Sequence, residues 1–249
     1  MSEKLQQLTS FSPGRPILTK DLREMGISPV LAHQYSQNGW LESLGRGVWK
    51  LPHSPLSWAS ALQTIQQGMN LKIHLGGRFA LESRGLAHYL RQGKRDIRLF
   101  SPIGVALPAW FVRLSWEENF SLTSTAFLPE DAGVSLYEID KVVLAVSSPE
   151  RAILECLYGV PQDQDMVEGY HLLEGLRSLR PSLVQSLLEK CSSVKVKRLF
   201  LFMARKAKLP CLEYLDLTKI TLGTGDRTIV KGGIFDKTYG ITVSPELIS

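Results

Sequence analysis

The stretch from Ser28 to Leu51, SPVLAHQYSQNGWLESLGRGVWKL, constrains the fold more than any other part of the chain. Ser28 is placed to cap a helix, and Pro29 sits at a first helical position where its missing N–H would be unpaired anyway. Asn38-Gly39 marks the end of that helix. Two short β-like runs follow, joined by Gly45-Arg46-Gly47, which reads as a tight hairpin with one arginine at its tip.

At about 100° per residue, Leu31 and Tyr35 fall on one side of this helix, with Ala32 at its border. His33, Ser36 and Gln37 fall on the other side, flanked by Val30 and Gln34. The outward side therefore carries neutral hydrogen-bonding groups in place of the usual Lys/Glu mixture. Upstream, Leu5, Leu8 and Phe11 give one apolar stripe, broken at Pro13-Gly14. A short Ile17-Leu18 segment comes next, and Thr19 reads as the cap of a second helix with Asp21 in its first turn and Gly26 past its end. Helix, short strand, helix, helix, β-hairpin is the order of a winged helix-turn-helix, in which the third helix enters the major groove and the hairpin lies along the backbone.

On that reading Gln34, Gln37 and His33 reach base edges, with Ser28 at the start of the same helix. Lys20, Arg23 and Lys50 meet phosphates, which fixes register without reading sequence. Arg46 enters the minor groove or clamps a phosphate. Gly45 and Gly47 act as hinges of its turn, and Trp40 and Trp49 serve packing.

The segment LPHSPLSW marks a boundary, dividing the chain into residues 1–53 and residues 54–249. Ser54-Pro55 restarts a helix running to about Gln67, closed by Gly68. Strands are expected near Lys72–Leu75, Asp96–Phe100, Phe111–Trp116, Ser121–Phe127 and Val142–Val146. SSPERAILECLYG is a helix with Pro149 near its start and Gly159 at its end. Leu172 to Ala207 is helical with interruptions at Pro181 and Ser192-Ser193, and short β segments close the chain. The class is α+β: an N-terminal winged helix-turn-helix followed by a larger mixed domain.

The 249 residues are 44% hydrophobic and 21% charged, as in a soluble globular protein. No apolar run approaches the ~20 residues of a membrane-spanning helix. The first residues, MSEKLQQLTSF, lack the apolar core of a secretory signal. Cys156, Cys191 and Cys211 are odd in number and widely spaced, which favours a reducing cytoplasm over a disulfide framework or zinc site.

The net charge of +5 is unevenly spread. Residues 190–208 hold seven Lys/Arg and no acid, and residues 72–98 hold seven Lys/Arg against Glu82 and Asp96. Residues 129–174 carry ten Asp/Glu against Lys141 and Arg151. Arg78, Arg84, Lys195, Lys197, Arg198 and Arg205 are thereby expected to form a basic face on the second domain.

Catalytic chemistry finds little support. HLGGRFALESRG lacks the Lys-Ser/Thr ending of a phosphate loop, and LGTGDR has only a Gly-x-Gly. His33, His53, His74, His88 and His171 are scattered without metal-ligand spacing. Asp163, Asp165 and Glu168 sit where acids stabilise a helix start. No metal, cofactor or catalytic residue is assigned, and the chain is not read as an enzyme.

Five segments together resemble the AbiEi-type antitoxins, the transcription-regulating halves of type IV (abortive-infection) toxin–antitoxin pairs. They are the N-terminal module ending in GRGVWKLP, HLGGRFALESRGLAHYL, SSPERAILECLYGVP, KVKRLFLFMA and the closing LGTGDRTIVKGGIFDKTYGITV. The resemblance implies a bacterial cytoplasmic protein that binds inverted repeats in double-stranded operator DNA, represses its own operon and counters a nucleotidyltransferase-like toxin, directly or indirectly. It also implies DNA contacts in the first domain, antitoxicity largely in the second, and basic residues of the second domain serving DNA, toxin or RNA. The scarcity of Arg and Lys on the outward side of the third helix departs from the family's pattern. The chain is expected to be a monomer in solution or a dimer on DNA. The alternatives are a winged-helix regulator whose second domain senses a small molecule, which would show one well-formed pocket there, and a nucleic-acid-processing enzyme, which would need convergent carboxylates or a metal cluster.

Overall fold

The computed structural model describes Leu8, residues 14–87 and residues 94–248. The stripe expected through Leu5 and Phe11 falls outside these residues; Leu8 itself is helical and buried. The chain divides into two compact units. One gathers Met1–Lys72 with Ala106–Glu117 and Glu138–Leu144, and the other holds Ile73–Val105, Glu118–Tyr137 and Ala145–Ser249.

In the first unit, strand β1 (Ile17–Leu18) leads into a helix at Thr19–Glu24 and a second at Pro29–Gln37. The hairpin β2 (Glu42–Gly45) and β3 (Val48–Lys50) follows, and the sheet order is β1-β3-β2. Ile17 pairs with Trp49 and Leu18 with Val48, so the first strand ties the hairpin to the helices. Leu8, Ile17, Leu22, Ile27, Ala32 and Leu41 form one buried cluster, with Met25, Leu31, Tyr35, Trp49 and Leu51 packed around it. Burying each of the larger aliphatic side chains contributes roughly 1.5–3 kcal/mol, so this small core is what fixes both helices against the sheet. From the first strand onward, the strand, helix, helix, hairpin order of the winged helix-turn-helix expected from the sequence is present.

Trp58–Gln63 continues this unit as an α-helix and passes into a π-helical turn at Thr64–Gly68. Its cap is Ser57, whose Oγ accepts the Ser60 N–H at 3.1 Å, and not Ser54. Ser54 Oγ instead accepts the Gly14 N–H at 2.6 Å.

The second unit holds most of a five-stranded sheet in the order β6-β5-β4-β8-β7, while Glu138–Leu144, spanning the β7–β8 turn, is grouped with the first unit. Its strands are β4 (His74–Leu75), β5 (Asp96–Ser101), β6 (Asn119–Ser124), β7 (Val134–Ile139) and β8 (Val142–Ser147). β5 and β6 run parallel, with Asp96 opposite Asn119 and Ser101 opposite Ser124. The helix Pro149–Gly159 lies at the centre of this unit, packed against helices Gly77–Glu82, Met166–Glu174, Pro181–Lys190 and Val194–Lys206. The last small sheet has the order β10-β11-β9, from β9 (Arg227–Thr228), β10 (Ile234–Asp236) and β11 (Ile241–Val243).

Because the central helix is buried on nearly every side, its polar residues must find partners inside. Glu155 Oε1 accepts from His74 Nε2 at 2.8 Å and Arg151 Nε at 2.7 Å. Its Oε2 accepts from the Gly77 N–H at 2.9 Å and Ser147 Oγ at 2.8 Å. Burial alone would raise the Glu155 pKa, yet His74, Arg151 and the Gly77 N–H hold it below the usual carboxylate value. A side chain at Gly76 would stand 2.2 Å from Glu155 Oε2 and 2.5 Å from the Phe100 ring, so that glycine lets the strand-to-helix turn approach the carboxylate.

Two further elements of the fold differ from the sequence pattern. Phe111–Trp116 is not a strand; Ala109–Arg113 forms a short helix after Pro108, with Trp110 and Phe111 buried. Five or six apolar residues carry no decisive period, and the preceding proline tips the balance toward a helical turn. Val134–Ile139 is a strand that the pattern VSLYEI did not announce, since both of its faces mix polar and apolar residues.

Candidate nucleic-acid interface

The helix Pro29–Gln37 is set by its first turn. Ser28 Oγ accepts the Leu31 N–H at 3.2 Å, and Pro29 holds the first helical φ. Ala32 is 1% exposed and marks the most buried line of the inner face, with Leu31 and Tyr35 half-buried on one side of it and Ser36 half-buried on the other. This moves the inner face by about 50°, roughly half a residue, from the Leu31/Tyr35 line expected from periodicity. The small Ala side chain lets the helix sit close to the core, and its larger neighbours wrap the edges.

The opposite face therefore presents Val30, His33, Gln34 and Gln37, all exposed, while Ser36 is half-buried. His33 Nε2 and Gln37 Nε2 lie 3.4 Å apart, one helical turn along. At the far end Gly39 adopts φ +73°, and the N–H groups of Trp40 and Leu41 both donate to the Tyr35 carbonyl. That left-handed residue turns the chain so that Leu41 enters the core while Trp40 remains 44% exposed. The packing role expected for Trp49 is observed; Trp40 is more exposed than expected.

In the hairpin, Ser43 pairs with Trp49 and Gly45 with Val48, leaving a bulge at Leu44 and a two-residue turn of Arg46-Gly47. Arg46 is exposed at the tip. The two glycines have different reasons. Gly47 has φ +74°, and its carbonyl accepts from the Thr19 N–H at 3.0 Å and from Thr19 Oγ1 at 3.1 Å. At Gly45 a side chain would stand 3.2 Å from Trp110 Cβ and 3.2 Å from an Arg113 guanidinium nitrogen. Thr19 is thus not the helix cap. It begins the helix, while Asp21 Oδ2 accepts the Leu18 N–H at 2.8 Å.

The cations around this face divide into two groups. Lys20 and Arg23 are exposed on the Thr19–Glu24 helix. Lys50 Nζ lies 2.9 Å from Glu42 Oε2 across the hairpin, with its side chain 19% exposed, so its charge is already engaged. Arg113, exposed beside Gly45, is a further cation of this face that the sequence pattern does not single out, since its segment reads as a strand of the second domain.

The basic residues of the second unit are mostly used inside it. Arg78 Nε meets Glu82 Oε1 at 2.5 Å, and its other nitrogen pairs with Glu168. The Arg84 guanidinium lies 4.1 Å from the centre of the Tyr137 ring, and burial lowers its pKa. Lys195 Nζ donates to the Tyr158 and Val160 carbonyls at 2.7 and 2.5 Å, closing the end of the central helix, and burial lowers its pKa too. Lys197 and Arg198, expected on a basic face, are each only 5% exposed. Arg198 donates to the carbonyls of Leu222, Gly223, Gly225 and Gly240 at 2.7 to 3.3 Å. The run Val196–Ala204 is buried throughout, so Arg198 within it turns to backbone oxygens. Of the six, Arg205 is the one classed as exposed.

The acidic positions also have local roles. Asp165 Oδ1 accepts the Glu168 N–H at 2.9 Å as a helix cap, and Asp163 Oδ2 lies 3.8 Å from Arg98. Among the described residues no group of three or more His, Cys, Asp and Glu is arranged to hold a metal ion. None of the described helices is long and apolar enough to cross a membrane. Burial pushes the Cys156 thiol up to about 12.

Residues 1–92 match the family model described as the N-terminal domain of the AbiEi antitoxin, a transcriptional regulator. Residues 94–244 match that of the AbiEi antitoxin transcriptional regulator of type IV toxin–antitoxin systems. No curated protein matches significantly. The crystal structure of the RV2827C protein from Mycobacterium tuberculosis is similar in fold, with a TM-score of 0.64 at 15% identity, covering 95% of this chain and 88% of that one.

Proposed function

The chain belongs to the AbiEi antitoxin family of type IV toxin–antitoxin transcriptional regulators, and from that premise we propose that it binds inverted repeats upstream of its own operon, represses it, and counters a nucleotidyltransferase-like toxin in the cytoplasm. The observation that carries the DNA part is the polar face of His33, Gln34 and Gln37 on a helix whose other side is pinned by Ala32, followed directly by a hairpin with Arg46 at its tip. A glutamine bonds adenine through two atoms, and such a pair discriminates by about 1–3 kcal/mol. Residues 1–53 hold the readers, and residues 54–249 hold the antitoxin function.

Lys20, Arg23, Arg46 and Arg113 contact phosphates in this reading, and Ser28 contributes at the start of the reading helix. Lys50 acts by fixing the hairpin through Glu42. Two copies bind an inverted repeat, because a two-fold site matches two identical half-site readers. The toxin is countered without catalysis. The test is co-expression with candidate nucleotidyltransferase-like toxins, scored by growth: the wild-type chain restores growth against its cognate toxin, and absence of rescue against all of them contradicts the antitoxin assignment.

Two cavities of the second unit bear on a small-molecule sensor: one of about 230 Å³ lined by Arg78, Arg98, Asn119, Ser121, Asp163 and Gln164 among others, and one of about 480 Å³ lined by Asp165, Val167, Glu168, His171, Ser244 and Glu246. The first is smaller than the ~300–1,000 Å³ of ordinary ligand sites, and both of its arginines already face carboxylates. The second is within that range, but two of its three carboxylates have local roles, Asp165 as a helix cap and Glu168 as the partner of Arg78. The antitoxin reading is the stronger.

A further inference from the structure

Val30 is 71% exposed, the most exposed large hydrophobic residue described in the first unit. It belongs to the face that carries His33, Gln34 and Gln37, at spacings of three, four and seven residues, so the four form one stripe along the helix. A lone exposed valine is ordinary on a protein surface. This one is held in place: Ser28 caps the turn at 3.2 Å, Pro29 fixes the backbone before it, and a β-branched side chain in a helix keeps one rotamer. It stands at the N-terminal end of the helix, the end that reaches base edges in helix-turn-helix proteins.

We propose that Val30 is a specificity-determining residue that packs against the 5-methyl group of a thymine in the major groove. The inference rests on the reading of Pro29–Gln37 as the DNA-reading helix. Thymine alone among the four bases presents a methyl there, so an apolar side chain between hydrogen-bonding ones distinguishes T·A from the other pairs. The glutamines favour adenine, and Val30 adds thymine, so the stripe suits an A/T-containing half-site.

The test uses the full-length chain and the DNA immediately upstream of its own gene. Protection mapping locates the half-sites, and each thymine there is replaced singly by deoxyuridine, which removes only the methyl. For the wild type, one such replacement per half-site weakens binding about fourfold, the size expected for one buried methyl-sized group. Val30→Ala binds the natural DNA more weakly by about the square of that factor, roughly sixteenfold, because both half-sites lose the contact, and it is indifferent to that same replacement. The variant's melting temperature stays at the wild-type value, since Val30 lies outside the core.

The proposal is overturned if Val30→Ala binds as tightly as the wild type, or if its loss and the deoxyuridine loss multiply at every thymine. It is also overturned if Val30→Ala weakens self-association without DNA and leaves the deoxyuridine response intact, which would make Val30 a protein contact. Gln34→Ala and Gln37→Ala separate this failure from a failure of the underlying reading. If neither weakens binding, the helix does not read DNA; if they do while the Val30 cycle is multiplicative, only this inference falls.

Discussion

The carbonyl of Gly47 accepts two hydrogen bonds from Thr19, one from its backbone N–H at 3.0 Å and one from its hydroxyl at 3.1 Å. The turn that carries Arg46 is thereby tied to the start of the helix Thr19–Glu24. Thr19→Val keeps the shape and the backbone bond but removes the hydroxyl donor. Stability is expected to fall by about 0.5–1.5 kcal/mol, the usual worth of one such bond. Affinity for the upstream DNA is expected to fall severalfold. Thermal melting and a binding titration check the two effects; unchanged affinity would mean that the tether does not position the hairpin.

Arg46→Ala is expected to weaken binding to the upstream DNA and to reduce the slope of log affinity against log salt by about two, one phosphate contact for each of the two bound copies. Toxin neutralisation in the growth assay should persist. An unchanged salt slope together with unchanged affinity would remove Arg46 from the interface.

Arg198 and Arg205 lie on one helix and predict opposite outcomes. Arg198→Ala withdraws five donors from a site where four backbone carbonyls depend on them, so a loss of about 3–5 kcal/mol is expected. Arg205→Ala, at an exposed position, should stay within about 0.5 kcal/mol of wild type. Chemical denaturation of both variants tests the contrast. Equal stabilities would contradict the internal role of Arg198.

Stability should also depend on acid through Glu150. Burial would raise its pKa, but hydrogen bonds from the Arg180 side chain and backbone hold it at about 2, against an ordinary 4.5. A depressed carboxylate pKa contributes stability that is complete above the unfolded value and is lost as pH falls through the folded one. Unfolding free energy should therefore decline from about pH 4.5 toward pH 2, and Glu150→Gln should be less stable at neutral pH and flatter across that window. A variant with the same acid slope as the wild type would show that another group sets it.

Much of the first unit was legible because its signals are local. Ser28-Pro29, Asn38-Gly39 and the two β runs around Arg46 each act on backbone within a few residues, and each is found where expected. The inner face of the reading helix lies about half a residue from where periodicity puts it, because periodicity ranks side chains by hydrophobicity, whereas the closest approach to the core favours the smallest, Ala32. Lys197 and Arg198 were read as surface cations because the carbonyls that receive Arg198 come from residues 222–240, far along the chain. Arg113 was missed for a similar reason, since its place beside Gly45 depends on a contact spanning the whole of the sheet's early strands in sequence. Thr19 shows the same limit at short range: a residue suited to a helix cap was taken by the hairpin tip.

The most direct measurement of the central claim is the ratio of specific to non-specific binding for Gln34→Ala/Gln37→Ala, taken on the upstream DNA and on a scrambled duplex of equal length at one salt concentration. The account predicts a ratio at least about tenfold below wild type, with binding to the scrambled duplex unchanged, because base contacts carry the discrimination and phosphate contacts remain. A ratio equal to wild type would contradict the assignment of Pro29–Gln37 as the helix that reads DNA.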